Sequence, residues 1–212
     1  MDRPWYLDLT ESYKQYRRLY PKIRIAYTLY TAYVRKNWEA IAAYLTETGV
    51  YQSEAMQLGI QVHDFMEQQE VMPKIIRTVN RWSDKNEPVY KEIKIELDQD
   101  NYMLVAKPDL LIGEFIVEYK TGTTKLEYYK RQLEFYKYVL AKSGMTDYNM
   151  GLITRLEPVF KRGELRKAVI TEKKVYQLPD VSKWDDVCYE LFNYILTKID
   201  EGALDRYISK FN

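Results

Sequence analysis

The chain has 212 residues, 32 Lys plus Arg against 31 Asp plus Glu, one His and one Cys, for a formal net charge of +1. That length suits one domain with a real core, and the balanced charge leaves recognition of any polyanion to local patches. A lone Cys188 excludes an internal disulfide and any four-thiolate zinc or iron–sulfur site. No apolar run approaches the ~20 residues of a membrane span, and the opening MDRPWYLDLT lacks a signal peptide's apolar core. The expectation is a soluble cytoplasmic protein without a membrane partner.

From Leu9 to Leu45 the apolar residues recur at helical spacing, interrupted at Pro21, which predicts two helices with Pro21 in the first turn of the second. Tyrosines, 21 in the whole chain, are interleaved there with Lys14, Arg17, Arg18, Lys22, Arg24, Arg35 and Lys36. Cations that follow phosphates and rings that stack on bases are what a single-strand groove requires; an amphipathic pair whose rings pack a core fits equally. After Gly49, Ser53 is placed to cap a helix through Val71, stopped by Pro73 and carrying the only histidine, His63.

Beyond Pro88 the period becomes two. VYKEIKIELD, YMLVAKPDLLIG and FIVEYKTG read as three strands of an antiparallel meander. Thr124 and Glu127 have capping-box spacing for a helix to Lys142, with Leu126, Tyr129, Leu133, Tyr136 and Leu140 as its apolar stripe and Ser143-Gly144 as its end. YNMGLITRL and LRKAVITE follow as strands, and Ser182 opens a last helix to Asp200. With no repeat or Gly/Pro/Ser linker, the expected organisation is one domain over 1–212: a helical part at 1–50, a core at 53–176 and a closing helix at 182–201.

In FIVEYK, alternation puts Glu118 and Lys120 on one face and Phe115, Val117 and Tyr119 on the other. If Asp109 ends the neighbouring strand, its carboxylate can approach Glu118, since facing Cβ atoms lie ~4.5 to 5.5 Å apart. Two converging carboxylates repel unless a cation lies between them, and hard oxygen ligands select Mg²⁺ or Mn²⁺. Glu-x-Lys occurs three times, at Glu92/Lys94, Glu118/Lys120 and Glu172/Lys174, and Pro-Asp twice. Only once does Pro-Asp end one strand while Glu-x-Lys lies on the next. These residues alone leave an ion-paired hairpin and a metal-dependent site both open.

Two further segments bear on that choice. GIQVHDFME places Gly59, His63 and Glu67 on one helix, and QLEFY places Gln132 and Tyr136 one turn apart. Together with Pro108-Asp109 and Glu118-Tyr119-Lys120, this ordered set resembles the PD-(D/E)XK nuclease superfamily in its RecB-like branch, over Gly59 to Tyr136. The resemblance implies a restriction-endonuclease-like α/β fold: a central mixed β-sheet flanked by helices, with an N-terminal helical region. It implies metal ligation by His63, Asp109, Glu118 and the Tyr119 carbonyl, catalysis by Lys120, and Gln132 and Tyr136 bracing the site or touching nucleic acid. Many relatives hold an iron–sulfur cluster through four cysteines; with Cys188 alone, no such cluster is expected. Cluster-free members are often phage or archaeal-virus proteins, which would put the protein inside a host cell.

The expected activity is Mg²⁺- or Mn²⁺-dependent hydrolysis of DNA, single-stranded or at ends. Two other readings stay open: a nucleic-acid-binding subunit of a DNA-processing complex with little turnover, and a structure-specific endonuclease acting as a homo-oligomer.

Overall fold

The computed structural model describes residues 10–48, 54–69, 72–82 and 87–211. The expected caps and ends at Gly49, Ser53 and Val71 lie outside them. The described elements fall into two compact units.

The first unit contains β1 (Ile23–Ile25), α1 (Tyr27–Val34), α2 (Trp38–Thr46), and later segments of the chain. Its sheet has the order β1, β4 (Tyr102–Ala106), β3 (Ile95–Asp98), with β1 parallel and β3 antiparallel to β4. Two closing helices, α6 (Trp184–Asp200) and α7 (Ala203–Ile208), belong to it. Pro21 does not start a helix: it lies in the turn before β1, a short strand in a segment whose spacing predicts helix. The helix resumes only at Tyr27, so the amino-terminal pair is α1 and α2. Many rings here serve packing: Tyr30 lies edge-on to Trp184 at 4.7 Å, and Tyr13 donates to Asp205 Oδ1 at 2.9 Å. Arg18 pairs with Glu47 and stacks on Tyr44, while Lys22 and Arg24 pair with Asp98 and Glu96 on β3.

The second unit holds α3 (Glu54–Glu67), α4 (Pro73–Val79) and a five-stranded sheet. The order is β2 (Val89–Lys91), β5 (Leu110–Ile112), β6 (Phe115–Lys120), β7 (Met150–Lys161), β8 (Glu164–Gln177). Only β6 and β7 run parallel, so the sheet is mixed, as expected. A parallel pair needs a crossover, here a 3₁₀ turn (Leu126–Tyr129) leading into α5 (Lys130–Lys142). The Thr124 capping box does not form; Lys125 precedes the turn without a side-chain cap, and Glu127 pairs with Lys174 instead.

The expected single meander is divided. VYKEIKIELD breaks into β2 and β3 and YMLVAKPDLLIG into β4 and β5, with one part of each in either sheet. Period-two alternation reports which face a residue takes but not which sheet receives it. Lys107-Pro108 supplies the second break, because proline has no N–H for a ladder and restrains the residue before it.

One face of the five-stranded sheet buries Phe115, Val117, Tyr119 and Leu152 under Val62 and Met66 of α3 and Ile75 and Val79 of α4. The other face receives α5. Gly151 on β7 allows a close approach there: a Cβ at that position would lie 2.5 Å from Leu133 Cδ1. Mixed α/β architecture with helices flanking a mixed sheet agrees with the restriction-endonuclease-like expectation.

Candidate active site

The two-residue connection Gly113-Glu114, with Gly113 at φ 55°, turns β5 directly into β6 and pairs Leu110 with Val117. Asp109 therefore sits one position before the ladder, where its Oδ2 accepts the Tyr119 amide at 2.6 Å. Its other oxygen, Oδ1, lies 3.3 Å from His63 Nδ1 on α3. The His63 and Tyr119 rings meet edge-on at 6.2 Å. Asp109 is buried, and its partners fix both the carboxylate and the imidazole.

Glu118 is only 3% exposed and points to the α5 face. Its Oε1 accepts from Lys120 Nζ at 2.7 Å and from Gln132 Nε2 at 2.7 Å, while Gln132 also donates to the Tyr136 hydroxyl at 2.8 Å. The Lys120 ammonium lies 4.6 Å from the centre of the Tyr129 ring, a cation–π contact that restricts it further. Glu118 Oε2 is buried without a hydrogen-bond partner. A carboxylate oxygen in that state is costly unless something else meets it.

Burial, reinforced by the Asp109 charge, pushes the Glu118 carboxyl up to about 7 against the opposing pull of Lys120. For His63, burial favours the neutral ring, but the hydrogen bond and charge of Asp109, with Glu118 behind it, hold the imidazole above its ordinary value. Lys120 is likewise penalised by burial, yet Glu118 raises it above the ordinary lysine value. It therefore remains an ammonium at neutral pH, suited to donating hydrogen bonds and offsetting negative charge rather than taking up a proton.

Glu92 was not among the expected site residues. It follows β2 with φ at 51°, an uncommon backbone conformation for a side-chain-bearing residue, and its amide donates to the Asp109 carbonyl at 3.1 Å. His63, Glu92 and Asp109 each bring a ligand-type atom within 4.8 Å of the others. A cavity of about 10 Å³ lies between them, lined also by Glu67 and Tyr119 and close to the least volume that holds one water. Lys107 pairs with Glu92 and lies 3.6 Å from Glu67. The only sequence signal for Glu92 was Glu92-x-Lys94, the same spacing as Glu118-x-Lys120.

The expected residues thus fall into two adjoining groups. His63 and Asp109 gather with Glu92, whereas Glu118, Lys120, Gln132 and Tyr136 form one hydrogen-bonded chain. Tyr119 links them, its amide on Asp109 and its side chain on the α3 face. Two carboxylates, Glu92 and Asp109, and the His63 imidazole form a donor set that fits a hard divalent cation, and the unpartnered Oε2 of Glu118 belongs to the adjoining group.

A mixed sheet that sets an aspartate at one strand end and a Glu-x-Lys on the next defines a restriction-endonuclease-like protein. The profile of the PD-(D/E)XK nuclease superfamily matches residues 14–206, and the chain belongs to that superfamily. Membership makes phosphodiester hydrolysis the reaction class and nucleic acid the substrate class. No match is found among curated proteins. Among solved structures, one described as SSO0001 is 13% identical with a TM-score of 0.46, covering 89% of this chain and 84% of that one. A candidate exonuclease from Eubacterium rectale is 11% identical with a TM-score of 0.43, covering 95% and 87%. No described helix is long and apolar enough to cross a membrane.

Proposed function

We propose that this protein is a Mg²⁺- or Mn²⁺-dependent deoxyribonuclease that hydrolyses single-stranded DNA or DNA ends and leaves 5′-phosphates. The observation that carries the reading is the Lys120 ammonium, fixed 2.7 Å from a buried Glu118 whose second oxygen has no partner, beside the His63, Glu92 and Asp109 group. A surface ion pair would need none of this burial.

His63, Asp109, Glu118 and Glu92 would hold the metal, and the Tyr119 carbonyl would add an oxygen. When bound, a divalent cation lowers the pKa of a water and offsets charge on the phosphodiester. Lys120 orients the attacking water and stabilises charge developing on the phosphoryl oxygens, since its ammonium persists at neutral pH. Gln132 holds Glu118 in register through Oε1, and Tyr136 holds Gln132. Asp109 keeps His63 oriented from one oxygen while the Tyr119 amide fixes the other. DNA as the substrate, and its single-stranded form, rest on the RecB-like motif order.

The test is cleavage of end-labelled linear and circular single-stranded DNA with Mn²⁺. The reading expects products that appear with Mn²⁺, vanish with chelator and vanish in Lys120→Ala while folding is retained. Intact DNA in the presence of folded, Mn²⁺-loaded wild-type protein would overturn it. A closed circle that survives while the linear strand is degraded identifies an exonuclease.

A further inference from the structure

Helix α4 and the turn after it carry Lys74, Arg77 and Arg81 at i, i+3 and i+7, and all three are exposed. That spacing stacks side chains along one helical face at ~5 to 6 Å per step. They line an open groove of about 360 Å³ whose opposite wall is β8, with Ile170, Glu172 and Lys173. None of the three forms an ion pair among the described residues. Glu172, the acid in the lining, is held by Arg155 Nε at 3.0 Å. Lys173 Nζ donates to Thr78 Oγ1 of α4 at 2.6 Å, which draws the two walls together. Four cations against this one acid, itself held by Arg155, leave the groove with a net positive charge.

Its position follows from the sheet register. Tyr119, Thr154 and Lys173 form one cross-strand row on β6, β7 and β8. Tyr119 is the residue whose amide holds Asp109 and whose ring abuts His63. With strands ~4.8 Å apart, Lys173 lies two strands, ~10 Å, from Tyr119 on the His63 face of the sheet. The alternation of β8 alone would not place both Ile170 and Lys173 on that face, since they are three apart. An irregularity opposite Arg155/Leu156 leaves Thr171 as an extra residue, and the bulge lets Ile170 enter the core while Lys173 faces the groove.

We propose that this α4/β8 groove binds the phosphodiester backbone of the nucleic-acid strand on one side of the bond cleaved at the His63/Asp109/Lys120 site. The inference rests on the nuclease reading and adds the path of the substrate. An open trough with cations at regular steps fits a repeating polyanion better than a single phosphate, which needs a closed cradle of donors. Contacts of this kind are independent of base sequence.

The experiment compares wild type, Lys74→Ala/Arg77→Ala/Arg81→Ala, Lys173→Ala, and a charge-matched control, Lys142→Ala/Lys161→Ala/Lys198→Ala. Affinity for a fluorescent single-stranded oligonucleotide is measured in chelator across a salt series, with thermal melting to verify folding. Each lost phosphate contact should lower the slope of log K against log salt by ~0.7, so the triple variant should lose ~2 and bind ~10- to 100-fold more weakly at low salt. Lys173→Ala should lose ~0.7, and the control should match wild type. With Mn²⁺ present, the groove variants should raise KM and leave kcat at saturation unchanged. If wild type binds and cleaves DNA while the triple variant matches the control, the groove proposal fails and the nuclease reading stands. A wild type that binds no nucleic acid overturns both.

Discussion

Strands β6 and β8 carry Glu-x-Lys on the same face of one sheet: Glu118 shares a cross-strand row with Ile153 and Lys174, and Lys120 shares one with Arg155 and Glu172. Their fates differ. β6 is interior to the sheet and covered by α5, so Glu118 and Lys120 are taken out of water and held by each other, by Gln132 and by Tyr129. β8 is an edge strand, where Glu172 pairs with Arg155 and Lys174 with Glu127, and the Glu172 and Lys174 side chains are close to half exposed. The same three-residue pattern is thus a candidate catalytic pair in one place and screened surface charge in the other. Burial separates them, because only a desolvated charge keeps most of its electrostatic strength.

The sharpest way to break this comparison is to truncate each lysine. Lys120→Ala should reduce cleavage ~10²- to 10³-fold, as loss of a fixed donor aimed at developing charge does. Lys174→Ala should leave the rate and the melting temperature unchanged; equal losses in both would show that burial does not separate the two pairs. Asp109→Ala should match Lys120→Ala in rate and also weaken Mn²⁺ binding by calorimetry, which Lys120→Ala should spare.

A smaller effect is expected where Glu118 is braced. Gln132→Ala should lower kcat by ~10- to 100-fold, the usual cost of losing a partner that orients a ligand. Tyr136→Phe, which removes only the hydroxyl that meets Gln132, should cost less. If Gln132→Ala altered KM alone, Gln132 would be a substrate contact rather than a brace.

Acidity gives a third comparison. With its folded value near 7 and its unfolded value near 4.5, Glu118 retains a proton that the unfolded chain has released in between. Its contribution to stability is present below the unfolded value and is lost as pH rises through about 7. His63, raised from 6.5, has the same sign: its contribution is full below that value and fades as pH rises through the folded one. In chelator, the melting temperature of wild type should therefore fall more between pH 5 and 8 than that of Glu118→Gln. Mn²⁺ should offset the fall, because it favours the deprotonated carboxylate. Parallel profiles for wild type and Glu118→Gln would remove Glu118 as the source. The smallest expected effect is on β8, where Glu172→Gln should shift stability by no more than ~0.5 kcal/mol by chemical denaturation.

The legible parts of the site were those in which one local period decides. Alternation in FIVEYK set Glu118 and Lys120 against Tyr119, and helical spacing put Gln132 one turn from Tyr136; the structure has both arrangements. Glu92 was missed because its role depends on a left-handed bend and a backbone bond to Asp109, which neither strand nor helix periodicity encodes. The basic groove was missed for a related reason: Lys173 meets α4 only after a bulge resets the alternation of β8. Glu127 had capping-box spacing, but Lys174 offered it an ion pair on a strand that sequence proximity could not reveal. For the tyrosines around Tyr13 and Tyr30, composition admitted both packing and stacking on bases, and burial assigns those two to packing.

The two-residue connection from β5 to β6 holds Leu110 opposite Val117 and Ile112 opposite Phe115, and that pairing gives everything on β6 its side of the sheet. A slip of the pairing by one residue would exchange Glu118 and Lys120 with Tyr119 across the sheet, sending two charges toward α3 and α4 and a ring toward α5. The turn is therefore a spacer whose product is a register: the same residues, paired one step out, would have no site.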